Sequence, residues 1–353
     1  MGAFEDQSGK VSAKIFKEDL LEYCGANRKE VVSGPRFGVD TAVIDLGSGE
    51  ALAVSSDPLS LIPTLGMEVS AWLSVHLLIN DMVTTGFAPQ YAQFVLNLPV
   101  SLTRDQFREY WKYIHQICEK HEIAITGGHT GQIPRQESTI SGGGTMFLRA
   151  PKDRILSSDG AQPGDSIIVT KEAAVSSTSL LAMAFPETVS EKCSPDVQKK
   201  VANNFWNLSV LKDGLVAAKS LQPKAELRAM HDVTEGGILG AINEMAEASG
   251  CGFKVDKNKL PVSEEVQKVA NLFDIDPFLS IGAGSMILSV KNGMEDQLIA
   301  DMTKEGIPAV KVGAFTEEPD KCLLAGNDIT PFLFDGVDPY WNAFFNALKA
   351  GWK

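Results

Sequence analysis

Apolar and polar positions along the chain follow two alternating periods, and the switches between them mark the elements. Residues 41–46 and 51–55 alternate like strands around the hairpin signal Gly47-Ser48-Gly49, with Asp40 at the mouth of the first and Asp57 just past the second. Residues 68–85 change to helical spacing. Ala71, Val75, Leu78, Ile79, Met82 and Val83 form a wide stripe that Asn80 and Asp81 interrupt, and Gly86 and Pro89 end it. A strand over 91–98 precedes a helix over 103–121, opened by the capping pattern of Thr103 with Gln106, where His115 and His121 fall on a charged, solvated face. A short strand over 123–126 delivers Gly127-Gly128-His129-Thr130-Gly131, a loop whose paired glycines let backbone approach a ligand. Residues 139–149 read as a strand with a bulge or close-packing site at Gly142-Gly143-Gly144.

Between 151 and 165 the composition shifts to Pro, Gly, Ser and Asp, which predicts a boundary between a domain over 1–152 and another over 153–353. A strand over 166–170, helices over 175–185 and 197–221 and a strand over 225–230 follow. Strands over 252–255, 285–290 and 309–313 then alternate with helices over 264–273 and 295–304, and an aromatic tail over 335–353 reads as a last helix. The expected architecture is α/β (α+β), a sheet with helices against it. The stretch 231–250 organises this half. Asp232 or Thr234 can cap its helix, Asp232 with Glu235 has the form of a capping box, Ile238, Leu239, Ile242, Met245 and Ala246 form the buried stripe, and Gly250 is the stop.

Composition narrows the function. With 353 residues, 44% hydrophobic and 22% charged, the chain can bury a large core in two domains. The net charge of −13 argues against nucleic acid and anionic membrane as partners, both of which need clustered Lys and Arg. Cys24, Cys118, Cys193, Cys251 and Cys322 are scattered and form no metal or disulfide pattern, which suits a reducing compartment. No secretory pattern opens the sequence, and the apolar run 71–83 is too short and too polar to span a bilayer, so a cytoplasmic location is expected. Residues 1–38 start polar, pass through a short helix near 15–23 and reach the turn-rich Ser33-Gly34-Pro35, an arm expected to be mobile.

Chemistry enters through glycines and acids. Gly236 and Gly237 leave backbone N–H groups at a helix start open to an anion, and acids beside an anion repel it unless a cation lies between. The combination points to a metal nucleotide. Gly38-Val39-Asp40-Thr41, Asp57, Asn80-Asp81 with Gly86 and Pro89, Gly127-Gly128-His129-Thr130 and Asp232-Val233-Thr234-Glu235-Gly236-Gly237 occur in this order, and the set resembles the aminoimidazole ribonucleotide synthetase (PurM-like) superfamily. Leu260-Pro261-Val262 and Ile275-Asp276-Pro277 extend the resemblance toward the synthetase-related proteins grouped with the hydrogenase-maturation (HypE-like) branch.

The resemblance implies a two-domain PurM-like fold, with the N-terminal sheet pairing with its twin into a barrel across a homodimer, and ATP with Mg²⁺ between the domains. It implies Asp40, Asp57, Asp81 and Asp232 as metal ligands, and Asn80, Gly127, Gly128, Thr130, Thr234, Gly236 and Gly237 as nucleotide contacts. Asp81, His129 and Asp232 are the residues expected to carry chemistry. The expected activity is ATP-dependent phosphorylation or activation of a carbonyl or amide oxygen on a small substrate or peptide group. A non-catalytic nucleotide-binding maturation factor is the alternative. The chain ends in Gly351-Trp352-Lys353 rather than the terminal cysteine of the hydrogenase-maturation dehydratase, so that reaction is not expected.

Overall fold

The computed structural model describes residues 9–136, 138–334 and 336–353. After a short helix, α1 (Ala13–Ile15), come β1 (Val31–Ser33), β2 (Ala42–Gly47), β3 (Glu50–Ser60), α2 (Met67–Val83), β4 (Tyr91–Pro99), α3 (Arg104–Lys120), β5 (Ala124–Ile133) and β6 (Ile140–Pro151). The strands form one sheet in the order β1-β2-β3-β6-β4-β5. Along β4, Ala92, Phe94, Leu96 and Leu98 point inward while Tyr91 and Val95 stay exposed, the period-two pattern of a sheet covered on one face. Helices α2 and α3 supply the cover, burying Leu78, Ile79, Met82, Tyr110 and Ile114 against it.

A second sheet follows, built from β7 (Ser166–Thr170), β8 (Leu227–Asp232), β9 (Gly252–Asp256), β10 (Met286–Val290), β11 (Ala309–Thr316), β12 (Lys321–Ala325) and β13 (Asp328–Pro331), in the order β13-β12-β9-β11-β7-β10-β8. Its helices are α4 (Val175–Ala184), α5 (Pro186–Lys192), α6 (Pro195–Asn203), α7 (Leu211–Ser220), α8 (Gly237–Ser249), α9 (Glu264–Leu272), α10 (Glu295–Lys304) and α11 (Pro339–Lys349). β7 and β10 are buried on both faces. Ile238, Leu239, Ile242 and Met245 of α8 cover one face over Val169 and Ile287, and Ala217, Leu298 and Met302 of α7 and α10 cover the other over Ile168 and Leu288. The α/β expectation holds, with mostly antiparallel pairing in this sheet.

Several expectations are corrected. The glycine run 127–131 is not a loop but the middle of β5, because Gly127 and Gly128 pair with Gln93 and Phe94, and a Cβ at Gly128 would collide with the Phe94 carbonyl. The helix expected over 197–221 breaks into α6, a 3-10 turn over Asn204–Asn207 and α7. The break has a cause in the first domain. Asn80, wholly buried on α2, donates from Nδ2 to the Leu208 carbonyl at 2.9 Å and accepts the Val210 N–H on Oδ1 at 2.9 Å. Lys171 Nζ donates to the Ser209 carbonyl at 2.6 Å and lies 3.2 Å from Asp213 Oδ2.

The arm makes specific contacts. Residues 9–38 lie on the body, with Lys10 on Glu244, Lys17 on Glu247 and Arg36 on Asp159. His121 is half-buried with its ring against His76, centroids 5.4 Å apart, rather than solvated, whereas His115 is exposed. The tail forms α11; of the residues expected in it, Asp335 lies outside the described residues.

The Asn80 contacts join the two halves through direct hydrogen bonds. Replacing Asn80 with Ala leaves two buried backbone groups unpaired, and the expected loss is about 2–4 kcal/mol of unfolding free energy in a urea titration. A loss below about 0.5 kcal/mol, the level of an ordinary surface change, would show that the clasp carries no weight.

Candidate functional site

The site begins with a glycine. Gly38 has φ +77°, and a Cβ there would come within 2.5 Å of the Glu244 carbonyl on α8, so only glycine lets the segment before β2 lie against the second domain's helix. That approach carries Asp40 to β8. Asp40 Oδ2 accepts from the Ser158 hydroxyl at 2.8 Å and stands 3.2 Å from His231 Nδ1. Asp57 comes from β3, opposite Gly144 of β6, and Asp81 from the last turn of α2, where Ser55 Oγ donates to Asp81 Oδ2 at 2.7 Å. Asp232 ends β8, the sheet's edge strand, against α2. It is 1% exposed, and among the described residues neither carboxylate oxygen has a hydrogen-bond partner.

The four aspartates feel one another. Burial, reinforced by Asp232, Asp57 and Asp40, pushes the Asp81 carboxyl well above its ordinary range, against the pull of Ser55. Burial with Glu235 and Asp232 raises Asp57 to about 7, although Lys10 opposes the shift. Burial also raises Asp232, with His231 opposing and Asp40 adding to it. Two basic groups answer this charge. Lys10 Nζ lies 2.7 Å from Glu244 Oε2; burial works against its ammonium, but Glu244 outweighs it and holds Lys10 above its usual value. His231, 1% exposed, has Nε2 3.3 Å from Glu244 Oε2 and Nδ1 3.8 Å from Asp232 Oδ1. Burial lowers the imidazole, while Asp40, Asp232 and Glu244 together carry it well above its ordinary value. Glu244 is held down to about 2; its burial is outweighed by Lys10 and His231.

The start of α8 differs from the expected capping box. Strand pairing of Asp232 with Met286 keeps Asp232 in β8, and Gly236 (φ +82°) and Gly237 (φ +62°) delay the helix to Gly237. The Asp232 carboxylate is therefore free of a capping duty. The first turn is also engaged already. The Gly236 N–H donates to Asp338 Oδ2 at 2.8 Å, the Gly237 N–H to the Thr234 carbonyl at 3.1 Å, and Phe334 fills the space a Gly236 side chain would take. Asp338 also caps α11 through the Tyr340 N–H at 2.9 Å. Burial raises the Asp338 carboxyl to about 6, against its backbone hydrogen bonds.

The structure thus brings Asp40, Asp57, Asp81 and Asp232 into one electrostatic cluster where the two domains meet. It places Thr234, Gly236 and Gly237 at its edge under Asp338, commits Asn80 to the 208–210 backbone, and puts Gly127, Gly128, His129 and Thr130 on the exposed edge strand β5. Sequence reasoning missed Lys10, His231 and Glu244. His231 adjoins Asp232 and was within reach of a motif reading; Lys10 and Glu244, 234 positions apart, meet only through folding.

The chain belongs to the AIR synthase related family, whose N-terminal domain matches residues 38–147 and whose C-terminal domain matches residues 162–323. It is similar to a Methanocaldococcus jannaschii protein provisionally named a hydrogenase expression/formation protein, 24% identical over 288 residues, which are 80% of each chain. Selenide, water dikinase of the same organism is 26% identical over 247 residues, 67% of this chain and 68% of that one. The crystal structure of the hydrogenase maturation protein HypE in complex with ATP shares the fold, with a TM-score of 0.64 at 16% identity, over 94% of this chain and 97% of that one. The PurM-like expectation is correct at the level of family and fold. Among the described residues no helix is long and apolar enough to cross a membrane.

The raised Asp57 carboxyl gives a signed pH dependence. An unfolded Asp ionises near about 3.9 while the folded one holds its proton to about 7, so the metal-free protein loses stability as pH rises through that window. Glu244 acts oppositely, and its contribution is lost as pH falls toward about 2. Asp57→Asn should therefore raise the unfolding free energy of the metal-free protein at pH 8 by at least about 1.4 kcal/mol, one pKa unit, and flatten the slope from pH 5 to 8. Denaturant titrations at both pH values check this; an unchanged slope would remove Asp57 from the charged cluster.

Proposed function

We propose that the recess between the domains, divided at residues 152 and 153, binds ATP with a divalent cation and that the protein phosphorylates or activates an oxygen of a small substrate or peptide group. The observation that carries this reading is Asp232: a carboxylate buried from water with neither oxygen hydrogen-bonded and only His231 as an ion-pair partner, at 3.8 Å, among the described residues, facing Asp40, Asp57 and Asp81 from the other domain. Such a group costs several kcal/mol unless something positive completes it. Carboxylate oxygens suit Mg²⁺, which takes few protein ligands and leaves room for phosphate oxygens. Asp40, Asp57, Asp81 and Asp232 would hold the ion, which when bound neutralises charge on the phosphate oxygens. Lys10, on the arm beside the acids, would be available to meet a phosphate. The family, a dikinase relative and a HypE fold solved with ATP support the nucleotide.

One observation favours the alternative of a nucleotide-binding maturation factor without turnover. Asp338 and Phe334 occupy the first turn of α8, where an anionic group of an acceptor would otherwise find N–H donors. We also infer a homodimer through the outer face of the first sheet, where Tyr91, Val95 and Ile133 are about 40% exposed on adjacent strands, as an uncovered apolar face requires. His129 and Thr130 on β5 would then lie near the partner copy.

Thermal shift with ATP and Mg²⁺ followed by a phosphate-release assay tests the function. Binding with slow phosphate release is expected, and Asp81→Asn should abolish both; binding without release selects the maturation factor, and undiminished binding and release in Asp81→Asn would overturn the site. For the dimer, analytical ultracentrifugation should show two chains per particle, with Val95→Glu giving single chains at the same concentration. A monomeric wild type would refute it.

A further inference from the structure

The deepest part of the recess is not a purely carboxylate environment. Asp40, His231 and Asp232 each offer one ligand atom, and these atoms all lie within 4.8 Å of one another. His231 sets the problem. Its Nε2 faces Glu244 Oε2 at 3.3 Å, and its Nδ1 faces Asp40 Oδ2 at 3.2 Å and Asp232 Oδ1 at 3.8 Å. Among the described residues Nδ1 has no aligned hydrogen bond, and neither oxygen of Asp232 has one at 1% exposure. A cation would take the place of the proton that the surrounding carboxylates otherwise keep on Nδ1.

We propose that Asp40, His231 and Asp232 form a mixed imidazole–carboxylate site for a divalent first-row transition ion such as Mn²⁺, bound in preference to Mg²⁺. It rests on the reading of the recess as a cation site and deepens it by naming the ion's class; it does not rest on the nucleotide. An ion with bonds of about 2.0–2.2 Å needs donors roughly 3–3.5 Å apart; Nδ1 stands 3.2 and 3.8 Å from the two oxygens and all three atoms lie within 4.8 Å of one another, so the ligands would close by a distance on the order of an ångström. One ion would satisfy Nδ1 and a bare Asp232 oxygen together. The outer contacts also match a metal-bound histidine. Glu244 accepts from the far ring nitrogen and fixes the tautomer, Lys10 holds Glu244 at 2.7 Å, and Ser158 orients Asp40 at 2.8 Å. Imidazole nitrogen favours first-row transition ions, whereas Mg²⁺ prefers an all-oxygen shell. Asp40 and Asp232 thereby leave the four-aspartate set proposed for the nucleotide's cation, and Asp57 and Asp81 remain for phosphate-bound Mg²⁺.

The test uses the full chain without nucleotide, titrated with Mn²⁺ and followed by electron paramagnetic resonance. Wild type should bind one Mn²⁺ at least about 10-fold more tightly than Mg²⁺ in competition, and pulsed spectra should show ¹⁴N modulation from a bound imidazole. His231→Gln should abolish the nitrogen signal. Glu244→Gln, which keeps every ligand, should weaken Mn²⁺ by about 10–100-fold. Absence of nitrogen modulation in wild type, no Mn²⁺ bound at millimolar concentration, or equal affinity in His231→Gln would each overturn the proposal. ATP–Mg²⁺ binding beside a nitrogen-free Mn²⁺ spectrum would sink this site and leave the nucleotide reading standing. Nitrogen-coupled Mn²⁺ without any ATP-dependent thermal shift would do the reverse.

Discussion

Repulsion among buried carboxylates is the constraint on which this structure turns. Asp40, Asp57, Asp81 and Asp232 converge from both domains, and two unit charges about 4 Å apart repel by roughly 4 kcal/mol at the effective dielectric of a protein surface. The fold accepts that cost through specific supports: Ser55 and Ser158 donate to two of the acids, His231 stands against two, and Lys10 adds charge through Glu244. Raised carboxyls at Asp57, Asp81 and Asp232 are the residue left uncompensated. Added positive charge would relieve that repulsion.

Geometry for this convergence comes from the junction between the sheets. β8 is an edge strand, so nothing in its own sheet lies beyond Asp232, and α2 of the other domain takes that place. Asn80 and Asp81 are neighbours on α2 with separate duties: Asn80 grips the backbone at 208–210, which fixes α2 against the second domain, and Asp81 one residue on enters the recess. Gly38 makes the matching contact from the other side by lying on α8. Stability and site geometry therefore share the same contacts.

Segments near both ends of the described residues reach this region. Ser12 lies beside Gly336, Gly9 beside Trp341 and Glu235, and Asp338 joins the starts of α8 and α11. The C-terminal segment thus braces the helix that backs the acids, while the arm brings in the only lysine near them among the described residues.

Period and punctuation were enough to read most elements, because strands such as β4 and helices such as α2 and α8 each bury one face and so write their pattern locally. The ordered acids and glycines were legible for the same reason: each motif is a local turn or element end. What only the tertiary structure decided was which of these meet. Gly128 serves sheet packing against Phe94, Asn80 serves the clasp, and Asp232 is released from capping by its pairing with Met286. Lys10, His231 and Glu244 join the acids through contacts as long as 234 residues in sequence. Charge interactions act through space and carry no period along the chain, so the sequence by itself determined the sheets, the helices and the candidate acids, while folding alone determined their electrostatic partners.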